Sequence, residues 1–210
     1  MTGFSDSFLD ELDRLMRWRR DVRHFRTDPV EEPLLSDLLA TFALAPSVGL
    51  SEPWRLVRVT SAAARAAALS NFQTANAEAL EGYSGEAAKI YAGLKLSGMQ
   101  EAPVHLAVFC DETTIKGKGL GAGTMPEMRR YSVVSAIMQF WLAARAHGLG
   151  LGWVSILDPD QLCRDLDVSP DWRLVAYLCI GYPEQEDDTP ELQRKGCQKT
   201  PEIAVSILQW

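Results

Sequence analysis

The stretch from Glu127 to His147 constrains this chain most. Val133, Val134, Ile137, Met138, Phe140, Trp141, Leu142 and Ala144 leave it almost no polar face, and a helix that is apolar all round has to be buried all round. In a chain of 210 residues it is therefore either a central core helix or a helix packed against a partner chain. That length is short for two separate cores with a linker. One domain over residues 1–210 is expected, with a tail from about residue 183 that lies extended along the subunit or its mate, because it is polar, rich in proline and unable to make a core of its own.

The other segments build an α+β fold around that helix. Phe8, Leu12, Leu15 and Met16 recur at helical spacing behind a Ser5 cap, and this helix should end near the charged stretch Arg17–Arg26. A second helix follows Pro33 and stops at Ala45-Pro46-Ser47-Val48-Gly49, where the turn chemistry is strong. Strands are expected at Trp54–Val59, Val104–Phe109, Leu149–Ile156 and Leu174–Ile180, and helices at Ser61–Leu80 and Gly85–Leu96. Two helices precede the first strand and two more separate it from the second, which breaks any regular βα alternation.

Charge and the scatter of reactive residues exclude several classes. A net charge of -7 does not suit a general nucleic-acid binder. The N-terminus mixes acids and bases where a signal peptide is apolar, and no run is long enough to span a bilayer, so no membrane and a cytoplasmic location are expected. Cys110, Cys163, Cys179 and Cys197 form no C-x-x-C pair, and His24, His105 and His147 have no ligand spacing. No metal is expected.

Three constellations remain. Arg19-Arg20-Asp21-Val22-Arg23 with Arg26 gathers guanidiniums, which grip phosphate bidentately, at what reads as a helix end, and the same cations should hold Asp21 ionised. A solvated helix end that complements the dipole explains the arginines equally well. Gly117-Lys-Gly-Leu-Gly-Ala122 satisfies a permissive dinucleotide fingerprint, yet it lacks the strand running into it and the acid beyond, so a flexible loop is the better reading. In Gly148-Leu-Gly-Leu-Gly-Trp-Val-Ser155 a helix cap accounts for Gly148, while Gly150 and Gly152 would allow a planar ligand to approach the backbone.

Taken in order, these stretches resemble the 5,6-dimethylbenzimidazole synthases, a branch of the flavin-dependent nitroreductases. The resemblance runs over residues 15–185 through Arg19–Arg23, Ala45–Gly49 with Pro53-Trp54, Lys95-Leu-x-Gly98 with Ala102-Pro103, Tyr131-Ser132, and Trp141–Arg145 leading to Gly150-x-Gly-Trp-Val-Ser-Ile156. It implies a nitroreductase-like fold, with a central mixed or antiparallel sheet flanked by helices, and FMN sites at a homodimer interface. It implies that reduced FMN is the substrate, broken down with molecular oxygen to dimethylbenzimidazole, the lower ligand of cobalamin, and erythrose 4-phosphate, after a flavin reductase has supplied the reduced flavin. Asp21 and Ser155 would be catalytic. Arg19, Arg20, Asp21, Arg23, Pro46, Ser47, Gly49, Gly152, Trp153 and Ser155 would hold the flavin. Leu50-Ser51-Glu52, Arg129-Arg130 and Lys195–Thr200 depart from the family pattern.

Two rivals share this fold. An ordinary FMN nitroreductase would retain the flavin and pass hydride from NAD(P)H to an electron-poor substrate, and a storage protein would bind FMN without consuming it.

Overall fold

In the computed structural model, which describes residues 3–81 and 98–194, five helices and four strands carry the fold. The helices are α1 (Asp6–Trp18), α2 (Glu32–Ala40), α3 (Ala62–Glu81), α4 (Met128–Ala146) and α5 (Pro159–Asp165). The strands are β1 (Trp54–Arg58), β2 (Val104–Asp111), β3 (Gly150–Val154) and β4 (Trp172–Gly181), paired antiparallel throughout in the order β1-β2-β4-β3. The expected helix over 85–96 and the motif residues 95–97 lie outside the described residues, as does the tail beyond Arg194.

Alternation along the strands divides the interior into two layers. Leu106, Val108 and Cys110 of β2, with Ala176, Leu178 and Ile180 of β4, pack against α2 and α4. Ala107, Phe109, Tyr177 and Cys179 face the other way, against Phe25, Ala68 and Phe72 of α3, and Leu162 of α5. Val108 pairs with Ala176 but Phe109 pairs with Leu174, so Val175 is the extra residue of a bulge. The bulge lets Leu174 and Ala176, two residues apart, serve opposite layers. His105 is buried in the second layer, 2.8 Å from the Tyr177 hydroxyl, and burial beside Arg65 pushes its pKa down to about 4.

α4 departs from expectation in an instructive way. Val133, Ala136, Ile137, Phe140, Trp141 and Ala144 are buried, but Tyr131, Val134 and Met138 are exposed along one stripe. α1 packs against α4 and buries none of its own residues, leaving Phe8, Leu9 and Met16 exposed. Among the described residues, this stripe of α4 is left uncovered. No helix among the described residues is long and apolar enough to cross a membrane.

Candidate functional site

The arginine segment starts at a helix end and runs on from it: Arg19 is the C-cap of α1, its N–H donating to the Leu15 carbonyl at 3.0 Å. Ser5 caps α1 by accepting from the Phe8 N–H at 3.3 Å, and the helix stops at Trp18. The chain then runs extended beside β3, the edge strand: Asp21 bridges Leu151 in parallel and the Val22 N–H donates to the Leu151 carbonyl at 2.8 Å. Phe25 next bridges Pro183, with Arg26 N–H on the Tyr182 carbonyl and Glu184 N–H on the His24 carbonyl. Residues 19–26 are thus stitched between β3 and the start of the tail.

Gly150 and Gly152 make that stitching possible, which gives both glycines a reason within the chain itself. A Cβ on Gly152 would lie 2.3 Å from the Val22 carbonyl oxygen, and one on Gly150 would lie 2.7 Å from a Val22 methyl. What approaches these glycines closely is the chain's own arginine segment.

The approach fixes Asp21. One carboxylate oxygen accepts from the Trp153 N–H at 2.9 Å, and the other lies 3.3 Å from Arg23 Nε. The cations beside Asp21 do not set the net direction of its pKa. Loss of water around the carboxylate raises its pKa and outweighs the Trp153 N–H and Arg23, with Glu191 adding to the rise. Its side chain nevertheless keeps 39% of its surface open, so the group is reachable. Ser155 lies just past the end of β3, two residues along from Trp153, and is exposed.

Beside Asp21 is a cleft of about 540 Å³ lined by Arg20, Arg23 and Arg145 on one side and by residues 183–191 on the other. Arg19 does not share it in the same way: its guanidinium lies 4.9 Å from the centre of the Trp141 ring. The sequence reading passed over Arg145, although an arginine near the end of an all-apolar helix was a signal in plain view. Its side chain is 4% exposed and lies 3.4 Å from the centre of the Trp18 ring.

Pro46, Ser47 and Gly49 sit on a separate support. The Val48 N–H donates to Ser132 Oγ at 3.0 Å and the Glu52 N–H to Ser47 Oγ at 3.1 Å. Gly49 has φ 57° and packs on the Gly117–Leu120 turn, whose own glycine would place a Cβ 2.4 Å from the Gly49 carbonyl. The glycine run taken as a flexible loop is therefore the back of this turn. Of the residues that depart from the family pattern, Glu52 ion-pairs with Lys116 and Arg130 with Glu112, which tie the two loops down. Leu50 and Glu52 hold φ of 56° and 41°, a strain that concentrates at functional loops.

The geometry fits a phosphorylated ligand at the cleft: guanidiniums suit the phosphate, and the volume lies within the range of small-molecule sites, roughly 300–1,000 Å³. The Nitroreductase family model matches residues 16–182. A 5,6-dimethylbenzimidazole synthase of Rhodospirillum rubrum is 56% identical over 195 residues, 93% of this chain and 92% of that protein. One of Rhodobacter capsulatus is 50% identical, over 94% of this chain and 95% of its own length. Among solved structures, oxidized iodotyrosine deiodinase bound to FMN and 3-iodo-L-tyrosine aligns with TM-score 0.76 at 21% identity, over 95% of this chain and 100% of that one.

Proposed function

This chain belongs to the nitroreductase family, on the branch of the 5,6-dimethylbenzimidazole synthases, and from that premise we propose that it converts reduced FMN and molecular oxygen to 5,6-dimethylbenzimidazole and erythrose 4-phosphate in the cytoplasm, for the lower ligand of cobalamin. Arg20 and Arg23 would hold the phosphate, while Asp21, the Trp153 backbone and Ser155 would meet the ring system. Bound reduced FMN supplies the electrons and the carbon skeleton; the protein supplies position and proton handling. A flavin reductase is the source of the reduced form.

The observation that carries this reading over an ordinary nitroreductase is Asp21. Hydride transfer from a nicotinamide needs no carboxylate in the flavin cleft, whereas fragmentation of a ring moves protons between nitrogen, carbon and oxygen and needs a positioned group to take and return them. Asp21 is partly desolvated, so its pKa is shifted toward the working pH, and it is held by Trp153 and Arg23. Ser155, a donor and an acceptor, is suited to hold a ring edge.

Purified protein given reduced FMN and air is expected to yield dimethylbenzimidazole on a chromatogram. Quantitative recovery of FMN would overturn the synthase reading. Consumption of NAD(P)H alongside that recovery would identify a nitroreductase, and its absence a flavin-storage protein.

The site is completed by a second copy of the chain. The loop of Pro46, Ser47 and Gly49 and the cleft of Asp21 rest on different supports, and the exposed stripe of Tyr131, Val134 and Met138 with Phe8, Leu9 and Met16 of α1 is the apolar face that a mate would cover. Sedimentation is expected to give a dimer; a stable monomer that still binds FMN tightly would contradict it.

Phosphate recognition is tested by single alanine variants. A charge-assisted bidentate contact contributes on the order of 1.5–3 kcal/mol, so Arg20→Ala or Arg23→Ala should weaken FMN binding about ten-fold or more. Arg19→Ala should weaken it less, because that side chain packs on Trp141. Parental affinity in all three would reduce the motif to a structural splice between β3 and the tail.

A further inference from the structure

Three arginines of the cleft are engaged by one acidic stretch of the chain's own tail. Glu186 lies 3.3 Å from Arg145, Glu191 lies 3.6 Å from Arg23, and the Asp188 carbonyl accepts from Arg20 Nε at 2.7 Å. Arg194 pairs with Asp187 at 3.1 Å, which folds the stretch back on itself. Arg145 is the deepest of these cations, and its Nε and one terminal nitrogen have no hydrogen-bond partner among the described residues. Glu186 is then the ion pair that balances a buried charge, and such a charge is costly to leave unbalanced.

Charge shows what the strap does to the cleft. Arg20, Arg23 and Arg145 set against Asp21 leave that wall formally at about +2, with His24 taken as neutral. Adding Glu184, Glu186, Asp187 and Glu191, less Arg194, takes the whole lining to about -1. A phosphate dianion is attracted by the first arrangement and repelled by the second.

We propose that the strap from Glu184 to Glu191 is an internal competitor for phosphate: its acids and the Asp188 carbonyl hold Arg20, Arg23 and Arg145 in the flavin-free protein, it lifts for a phosphate monoester to reach Arg20 and Arg23, and it returns to displace the phosphorylated product. This rests on the flavin reading above. Arg145 is the anchor of the strap and a positioning residue, acting through Glu186.

The test compares the full-length protein with the double variant Glu186→Gln, Glu191→Gln, using oxidised FMN and riboflavin as probes in a fluorescence titration. Losing one exposed and one largely buried carboxylate contact should tighten FMN binding by about three- to ten-fold and leave riboflavin, which has no phosphate, unchanged. Equal or weaker FMN binding by the variant would overturn the strap while leaving the flavin site standing. Failure of both proteins to bind FMN would overturn the flavin reading and the strap together. Limited trypsin cleavage after Arg194 decides the matter on unaltered protein, should the variant not fold: FMN is expected to accelerate it, and protection or no change would refute lifting.

Discussion

Asparagine in place of Asp21 should cut formation of dimethylbenzimidazole by roughly 10²–10⁴-fold, the usual span of lost general acid–base catalysis, while FMN binding survives. The substitution keeps size and the hydrogen bond from the Trp153 N–H but removes the ability to take a proton. Removing a negative charge from beside Arg23 should also tighten the hold on phosphate slightly. The pH dependence gives an independent reading. Because burial raises the Asp21 pKa above the usual aspartate value, a reaction that needs it ionised loses rate as the pH falls through that raised pKa, and Asp21→Asn should erase that limb.

Stability should move the opposite way. An acid whose pKa is higher in the folded state than in the unfolded one is deprotonated more readily on unfolding, so its charge weighs against the fold above its folded pKa, and the penalty fades as the pH falls to the unfolded value. The asparagine variant should therefore be no less stable than the parent at neutral pH, an exchange of stability for activity familiar at functional sites. Normal product from an FMN-loaded variant would remove Asp21 from the mechanism. Loss of affinity with unchanged product per bound flavin would make it only a clamp on Arg23.

The second large effect is expected at Gly152, where no side chain is lost at all. Alanine there places a Cβ 2.3 Å from the Val22 carbonyl oxygen, a backbone atom that cannot swing aside as a side-chain tip does. The arginine segment has to move off β3, which breaks the Val22 bond to Leu151 and pulls Asp21 from Trp153. Such overpacking costs about 1–3 kcal/mol, which for a chain of this size lowers Tm by roughly 3–10 °C. FMN affinity and product should fall together, by about ten-fold or more at the binding step. Gly148→Ala is the control: φ there is +78° but the space around it is open, so it should lose some stability and keep flavin affinity. Unchanged flavin binding in Gly152→Ala would mean that the β3 splice does not shape the cleft.

Much of this was readable in one dimension because the signals are local. The period of the apolar residues reported α1 and α2, alanine content reported α3, an almost unbroken apolar stretch reported α4, and four apolar runs marked the four strands close to their observed bounds. α5 escaped notice although Asp158 caps it through the N–H groups of Asp160 and Gln161 and Pro159 opens it, since seven residues are too few to show a period. The arginine cluster, Asp21 and Ser155 stood out by residue type.

What residue type could not convey was the company these groups keep. Cations adjacent in sequence favour the ionised form of Asp21, but desolvation is a property of everything packed around a carboxylate, and here it outweighs them and moves the pKa upward. The glycines before Trp153 signalled close approach without saying by what, because only the folded chain brings Val22 to them from more than a hundred residues away. Arg145 and the acidic strap likewise acquired meaning only once residues 183–191 had been laid across residues 18–26. Neighbours along the chain were enough for every element but α5, for the family and for the chemical types at the site. The direction of the Asp21 pKa, the partner of each glycine and the occupants of the arginines came only with the folded chain, because these depend on dielectric, contact distance and charge balance among residues distant in sequence.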